Sequence, residues 1–98
     1  IGIGGIALKS PFVMQTMGDV INKPIKVCNS DQACALGAAM FAATAAGVYR
    51  KVEDSSAAMN SGFSKEYEPN PENTRLYAPL YQKYLKLARF TEKEFYHD

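Results

Sequence analysis

Apolar positions recur along this chain in distinct rhythms, and each rhythm predicts an element. Val13, Met14, Met17, Val20 and Ile21 fall at three- and four-residue steps, with Gln15, Asp19 and Asn22 opposite them, which is the pattern of an amphipathic helix. Ser10 followed by Pro11 marks its start, because a Ser hydroxyl caps free amides and proline is tolerated where its missing N–H costs nothing. Asn22, Lys23 and Pro24 end it, and Ile25 to Cys28 has the β-branched character of a short strand. Gln32 to Ala46 carries no formal charge and is loaded with alanine, which predicts a buried helix, capped from Asn29, Ser30 or Asp31 and stopped at Gly47. Val52 to Asn60 predicts a short helix ending near Gly62, and Phe63 to Glu68 an extended connector. Asn70 and Pro71 restart a helix by the same logic as Ser10 and Pro11. Tyr77, Leu80, Tyr81, Tyr84, Leu85 and Ala88 then form one stripe, with Lys83, Lys86 and Lys93 off it. A long amphipathic terminal helix packed on the body is expected, its tyrosines serving as packing residues. Pro79 inside it predicts a bend or a fresh start.

Charge sharpens this picture. Residues 1–47 hold five of the charged side chains (Lys9, Asp19, Lys23, Lys26, Asp31) and residues 48–98 the other sixteen, so the first half reads as interior and the second as exterior. With 98 residues, 47% of them apolar, the chain suffices for one small folded body. A formal net charge of +1 provides no electrostatic case for nucleic acid or a membrane surface. The uncharged alanine-rich stretch falls short of the roughly twenty strongly apolar residues that a membrane span needs.

Candidate chemistry is narrowed further by what is scarce. Cys28 and Cys34 lack the spacing of a zinc or redox pair, and read as reduced thiols of a cytoplasmic protein. His97 is the only histidine and lies one residue from the end, so no His-based triad or multi-histidine metal site is expected. The chain opens on Ile1 rather than Met and runs at once into Gly2, Gly4 and Gly5, as the cut end of something longer would.

The stretch Gly2-Ile3-Gly4-Gly5-Ile6-Ala7-Leu8-Lys9-Ser10 asks for a chemical explanation. Glycines beside a strand end let a ligand approach the backbone, and a helix beginning afterwards aims free N–H groups at that space, which suits phosphate or nucleotide. Lys9 and Ser10 imitate the end of a Walker loop, but that motif needs glycine before the lysine and Leu8 stands there. Gly2, Gly4 and Ala7, followed by Asp31, satisfy the loose spacing of a dinucleotide fingerprint. A helix begun among the glycines would place Pro11 in its interior at a cost of about 3 kcal/mol, so Pro11 argues for a later start and a longer loop. A plain strand-to-helix turn is the bland alternative.

The ordered succession G-G-I-A-L-K-S-P-F-V-M-Q-T-M-G-D-V, K-P-I-K-V, A-L-G-A-A-M-F-A-A and G-F-S-K-E-Y-E-P-N-P-E-N resembles the C-terminal region of the FGGY carbohydrate kinases. The resemblance implies an α/β fold: part of the C-terminal actin-like (ribonuclease H-like) ATPase domain, helix-rich with a few short strands, with residues 1–98 belonging to its nucleotide-binding portion. It implies ATP and Mg2+ as cofactors and, in the full-length enzyme, a ketopentose as second substrate. Gly4 and Gly5 match the family's adenosine-binding turn, where backbone lies against the nucleoside. Lys9 matches a position where some relatives carry Asn in contact with nucleotide; as lysine it is a cation near the phosphates or a solvated surface residue. The helix around Ala35 to Ala39 is expected to pack behind the turn, with Gly37 allowing close approach. Gln15 and Asp19 match polar family positions and are expected to be structural.

Phosphoryl transfer to a sugar hydroxyl needs a carboxylate to take the proton and fixed geometry between substrates. The resemblance implies that those residues lie in an N-terminal domain outside this chain; none of Asp19, Asp31 or Asp54 sits in a matching motif. The chain alone is therefore expected to be inactive, and its truncated sheet to promote self-association. Another FGGY sugar or polyol kinase, or a non-catalytic interaction module, are the alternatives.

Overall fold

The computed structural model describes residues 1–96, so His97 lies outside the described residues. Ile25–Cys28 (β1) pairs antiparallel with Phe63–Tyr67 (β2), Ile25 facing Tyr67 and Lys26 facing Glu66, with an irregularity between Val27 and Cys28. Gly2 adds to the other edge of β1 in parallel: its N–H donates to the Lys26 carbonyl at 2.7 Å and its carbonyl accepts from the Cys28 N–H at 2.9 Å. The segment expected as an extended connector is thus a paired strand, which sequence could not show because its partner lies nearly forty residues away.

Around this narrow sheet stand Gly5–Lys9 (α1), Pro11–Ile21 (α2), Ala33–Ala45 (α3), Val52–Met59 (α4) and Pro71–Phe95 (α5). The Ser10 hydroxyl accepts from the Val13 N–H at 3.3 Å and Pro11 occupies the first turn, as the sequence predicts. The longer loop expected before it is instead the short helix α1. The two helices are separated by Ser10 in extended backbone (φ −120°, ψ 90°), so the proline ring never enters a helix interior. Gly47 (φ 81°) ends α3 in the predicted way, its N–H and that of Val48 donating back to the Thr44 and Ala43 carbonyls.

The core is small: Ala7, Met14, Ile25, Val27 and Tyr67. Four of these five lie in the weakly charged first half, but the interior reading of that half fails as a whole, since Ile1, Ile3, Ile6, Phe12 and Phe41 are exposed. The radius of gyration is 18.4 Å, against about 13 Å for a compact chain of this length, so much apolar surface is left uncovered. Three expectations fail for that reason. First, α3 has no buried residue and Phe41 is 65% exposed, because α4 is the element it packs on and its apolar side chains point all round. Second, α5 also buries none: its start meets α2, while Tyr81 and Tyr84 are exposed and stack on each other with ring centroids 6.1 Å apart. Pro79 neither stops nor restarts α5, since the Arg75 carbonyl that loses its partner is on an exposed stretch open to water. Third, the buried face of α2 is Met14, Gly18 and Asp19, whereas Met17, Val20 and Ile21 are about half exposed.

Asp19, expected on the polar face, is 2% exposed and is the main joint between α2 and α5. Its Oδ1 accepts from the Asn70 N–H at 2.7 Å and Gln15 Nε2 at 2.9 Å, its Oδ2 accepts from Asn73 Nδ2 at 2.9 Å, and its main-chain carbonyl accepts from the Thr74 hydroxyl at 2.8 Å. Gln15 Nε2 also donates to the Glu68 carbonyl at 2.7 Å. The structural role expected for Gln15 and Asp19 is therefore seen. A second polar joint ties α3 to α4, where the Thr44 hydroxyl donates to the fully buried Ser55 hydroxyl at 3.1 Å.

The hydrogen bond from Asn70, then that from Asn73, with a smaller contribution from Gln15, holds the Asp19 carboxyl below its ordinary value against the opposing effect of desolvation. A lowered folded-state value means that the stabilisation is complete above the unfolded-state value and lost as pH falls through the folded one. Unfolding followed by circular dichroism should show stability falling on acidification below about pH 4, and Asp19→Asn should flatten that acid limb. Val27→Ala, at the centre of the core, should lower the unfolding free energy by about 1–3 kcal/mol in urea titrations.

Candidate functional site: the glycine turn

After pairing with β1 at Gly2, the chain leaves the sheet, turns at Gly4 and enters α1 at Gly5. Gly4 has φ 94° and ψ 173°, a conformation essentially confined to glycine. A side chain on Gly4 or Gly5 would meet nothing within 4 Å, so both present bare backbone to open space. The first amides of α1 have no intrahelical acceptor, although five residues give only a weak dipole. Lys9 is exposed in the last turn of α1. Four residues after Gly5, it lies on the same face of the helix, about 6 Å along the axis, and helical side chains lean toward the N-terminus. The structure therefore brings together the three residues singled out from sequence, Gly4, Gly5 and Lys9, on one exposed surface.

Other expectations for the site are corrected. The Ala35–Ala39 stretch does not press on the turn: a methyl group added at Gly37 would meet nothing within 4 Å, and α3 stands away on α4. Between the Ile1–Ile3 edge, α3 and α4 this leaves a groove of about 750 Å3, lined chiefly by Ile1, Ile3, Leu36, Met40, Phe41 and Phe63. Gly4, Gly5 and Lys9 do not line it. Sequence reasoning missed this feature; Phe41, a large residue amid alanines, was its one signal. The groove suits apolar chain and offers no paired acid and base. Among the described residues, no group of three His, Cys, Asp or Glu side chains is placed to hold a metal ion. Cys28 and Cys34 are free thiols. No described helix is long and apolar enough to cross a membrane.

A strand edge feeding a glycine turn and two helices defines a class when set beside known proteins. Residues 1–46 match the model of the FGGY family of carbohydrate kinases, C-terminal domain. The chain superposes on the xylulose kinase of Lactobacillus acidophilus, solved with ligand bound, with a TM-score of 0.69 and 26% identity over 90% of this chain and 18% of that one. A gluconate kinase from the same organism gives the same values. The chain belongs to the FGGY family of carbohydrate kinases and has the fold of part of their actin-like ATPase domain.

Within that family, ribulokinases are among the similar sequences. Identity is 50% over 93 residues with the ribulokinase of Vibrio parahaemolyticus, covering 95% of this chain and 16% of that protein. It is 45% over 95 residues with that of Bacillus licheniformis, covering 93% and 17%. The chain thus spans about one sixth of the length of the relatives it matches.

The two glycines should respond differently to substitution. Gly4→Ala, forced into a backbone region closed to side chains, should cost about 1–3 kcal/mol. Gly5→Ala, with ordinary helical backbone and free space, should be neutral or slightly stabilising in the same denaturation experiment.

Proposed function

We propose that residues 1–98 form the C-terminal portion of the nucleotide-binding domain of an ATP-dependent sugar kinase, acting with Mg2+ on L-ribulose to give L-ribulose 5-phosphate and ADP. The observation that carries this reading is the exposed, side-chain-free backbone at Gly4 and Gly5, with Lys9 on the same face. A planar nucleoside rests against such a surface because no Cβ stands in the way. The family match supports the reaction class, and the ribulokinase relatives support the choice of sugar.

In this reading the chain's residues bind and orient rather than react. Gly4 and Gly5 carry the adenosine, and the Lys9 ammonium faces the polyphosphate as a compact cation. When bound, ATP supplies the phosphoryl group and its Mg2+ neutralises developing charge. Residues 2–10 include no carboxylate, and no residue of this chain is assigned to the metal. The sugar hydroxyl's proton goes to a base outside residues 1–98, as the family resemblance implies; Asp19, for its part, is buried and already accepts three hydrogen bonds. The reaction takes place in the cytoplasm, where both thiols stay reduced.

A second reading, in which the chain is an interaction surface, is favoured by the apolar groove and by Ile1, Phe12 and Phe41, each more than 60% exposed. Sedimentation of the isolated chain should show self-association; a stable monomer at high concentration counts against it.

The kinase reading is tested at Gly5, where a side chain costs the fold little. Gly5→Leu should weaken ADP binding about tenfold or more by calorimetry, through a steric clash worth at least about 1.4 kcal/mol, with unchanged thermal stability. Equal affinity in wild type and Gly5→Leu refutes the assignment. The chain by itself should yield no ribulose-dependent ADP; measurable turnover would show that the catalytic base lies within it.

A further inference from the structure

The Asp19 joint is unusual among the polar contacts of this molecule. A carboxylate is almost fully buried with no cation among its hydrogen-bond partners, and two of the three donors to its side chain come from more than fifty residues away in sequence. Such a group is retained at a desolvation cost that an apolar pair would avoid. Its position is also particular: the Asn70 N–H that it accepts belongs to the residue capping α5, so α2 supplies part of the N-terminal cap of another helix.

The opposite end of α2 leads to the glycine turn. Ser10 caps α2 directly after Lys9. Met14 packs in the core with Ala7 of α1, and its methyl lies where a Gly2 side chain would stand, 2.6 Å from that Cβ position. One contiguous path therefore runs from Asn70 and Asn73 through Asp19, along α2, to Met14, Gly2 and Ala7 on either side of Gly4 and Gly5.

We propose that Asp19 is a positioning residue for the nucleotide turn: by clasping the start of α5 it fixes α2, and through α2 it holds the Gly4–Lys9 surface in its binding orientation. The proposal rests on the nucleotide reading of that surface for its functional half. Its structural half, that turn and α5 behave as one unit, stands without it. The hydrogen bonds specify Asp over Asn at this place. All three donors point at Oδ atoms, and an Asn amide would set an NH2 against at least one of them.

The test is hydrogen exchange on the ligand-free protein, read for peptides covering residues 1–13 and 66–76, in wild type, Asp19→Asn and the swap Asp19→Asn with Asn73→Asp. In the swap, the amide oxygen introduced at position 19 still accepts from Asn70 and Gln15, while its NH2 donates to the carboxylate introduced at position 73. Every bond is thereby restored, with the charge relocated to the first turn of α5. Asp19→Asn should raise exchange about tenfold or more in both regions, matching the loss of a charge-assisted hydrogen bond, and the swap should restore both. Faster exchange confined to 66–76 overturns the coupling, and so does no change in either region. Should Asp19→Asn fail to fold, Asn73→Ala, which removes a single donor, is read by the same criterion. A parallel titration with fluorescent N-methylanthraniloyl-ADP should show affinity lost in Asp19→Asn and regained in the swap. Wild-type protein that binds no ADP refutes the nucleotide reading, while the exchange data still decide the coupling; binding that is unaffected by Asp19→Asn overturns the positioning role alone.

Discussion

A carboxylate taken out of water needs compensation for every lone pair it turns inward, and in this chain Asp19 meets that demand with donors drawn from far along the sequence. Much of the architecture follows from it. The segment after β2 must return to α2 to deliver the Asn70 N–H and the Asn73 amide, which fixes where α5 begins and in which direction its 25 residues leave the body. Thr74, bonded to the Asp19 main-chain carbonyl, then aligns the first turn of α5 with α2. Beyond that turn nothing comparable holds the helix, and its aromatic residues face outward.

The sheet divides the molecule into a finished side and an unfinished one. Ile25 and Val27 point toward α1 and α2 and close a small core with Met14 and Tyr67. On the other side Ile1, Ile3 and Phe63 face α3 and α4 across an apolar groove that those helices do not fill. The alanines of α3 are too short to reach across it. The groove takes its edge from Ile1 and Ile3, directly before the glycine turn, yet Gly4, Gly5 and Lys9 are not among the residues that line it.

The two glycines of the turn differ in what the fold asks of them. Gly4 is required by its dihedral angles, Gly5 by none of the contacts around it. A Cβ at Gly5 would meet no other atom, which is the opening that the proposed nucleoside contact uses. Lys9 reaches the same surface because α1 exists: in an open loop the spacing from Gly5 to Lys9 would fix no common face, whereas one helical turn does.

Local rules carried by neighbouring residues were legible in the chain alone. Ser10 and Pro11 started α2, Asn70 and Pro71 started α5, Gly47 closed α3, and the glycines marked the turn, because caps, prolines and glycines act through backbone atoms a few positions away. What needed the tertiary structure were the features that depend on a distant partner. Hydrophobicity predicted burial for α3 and the tyrosine stripe of α5, but burial requires a surface to pack on, and these helices have little. Polarity predicted exposure for Asp19, but exposure ends wherever enough donors converge, and those donors arrive only when residues 70–74 fold back onto α2. Periodicity reports which side chains share a face; only the assembled chain decides what that face meets.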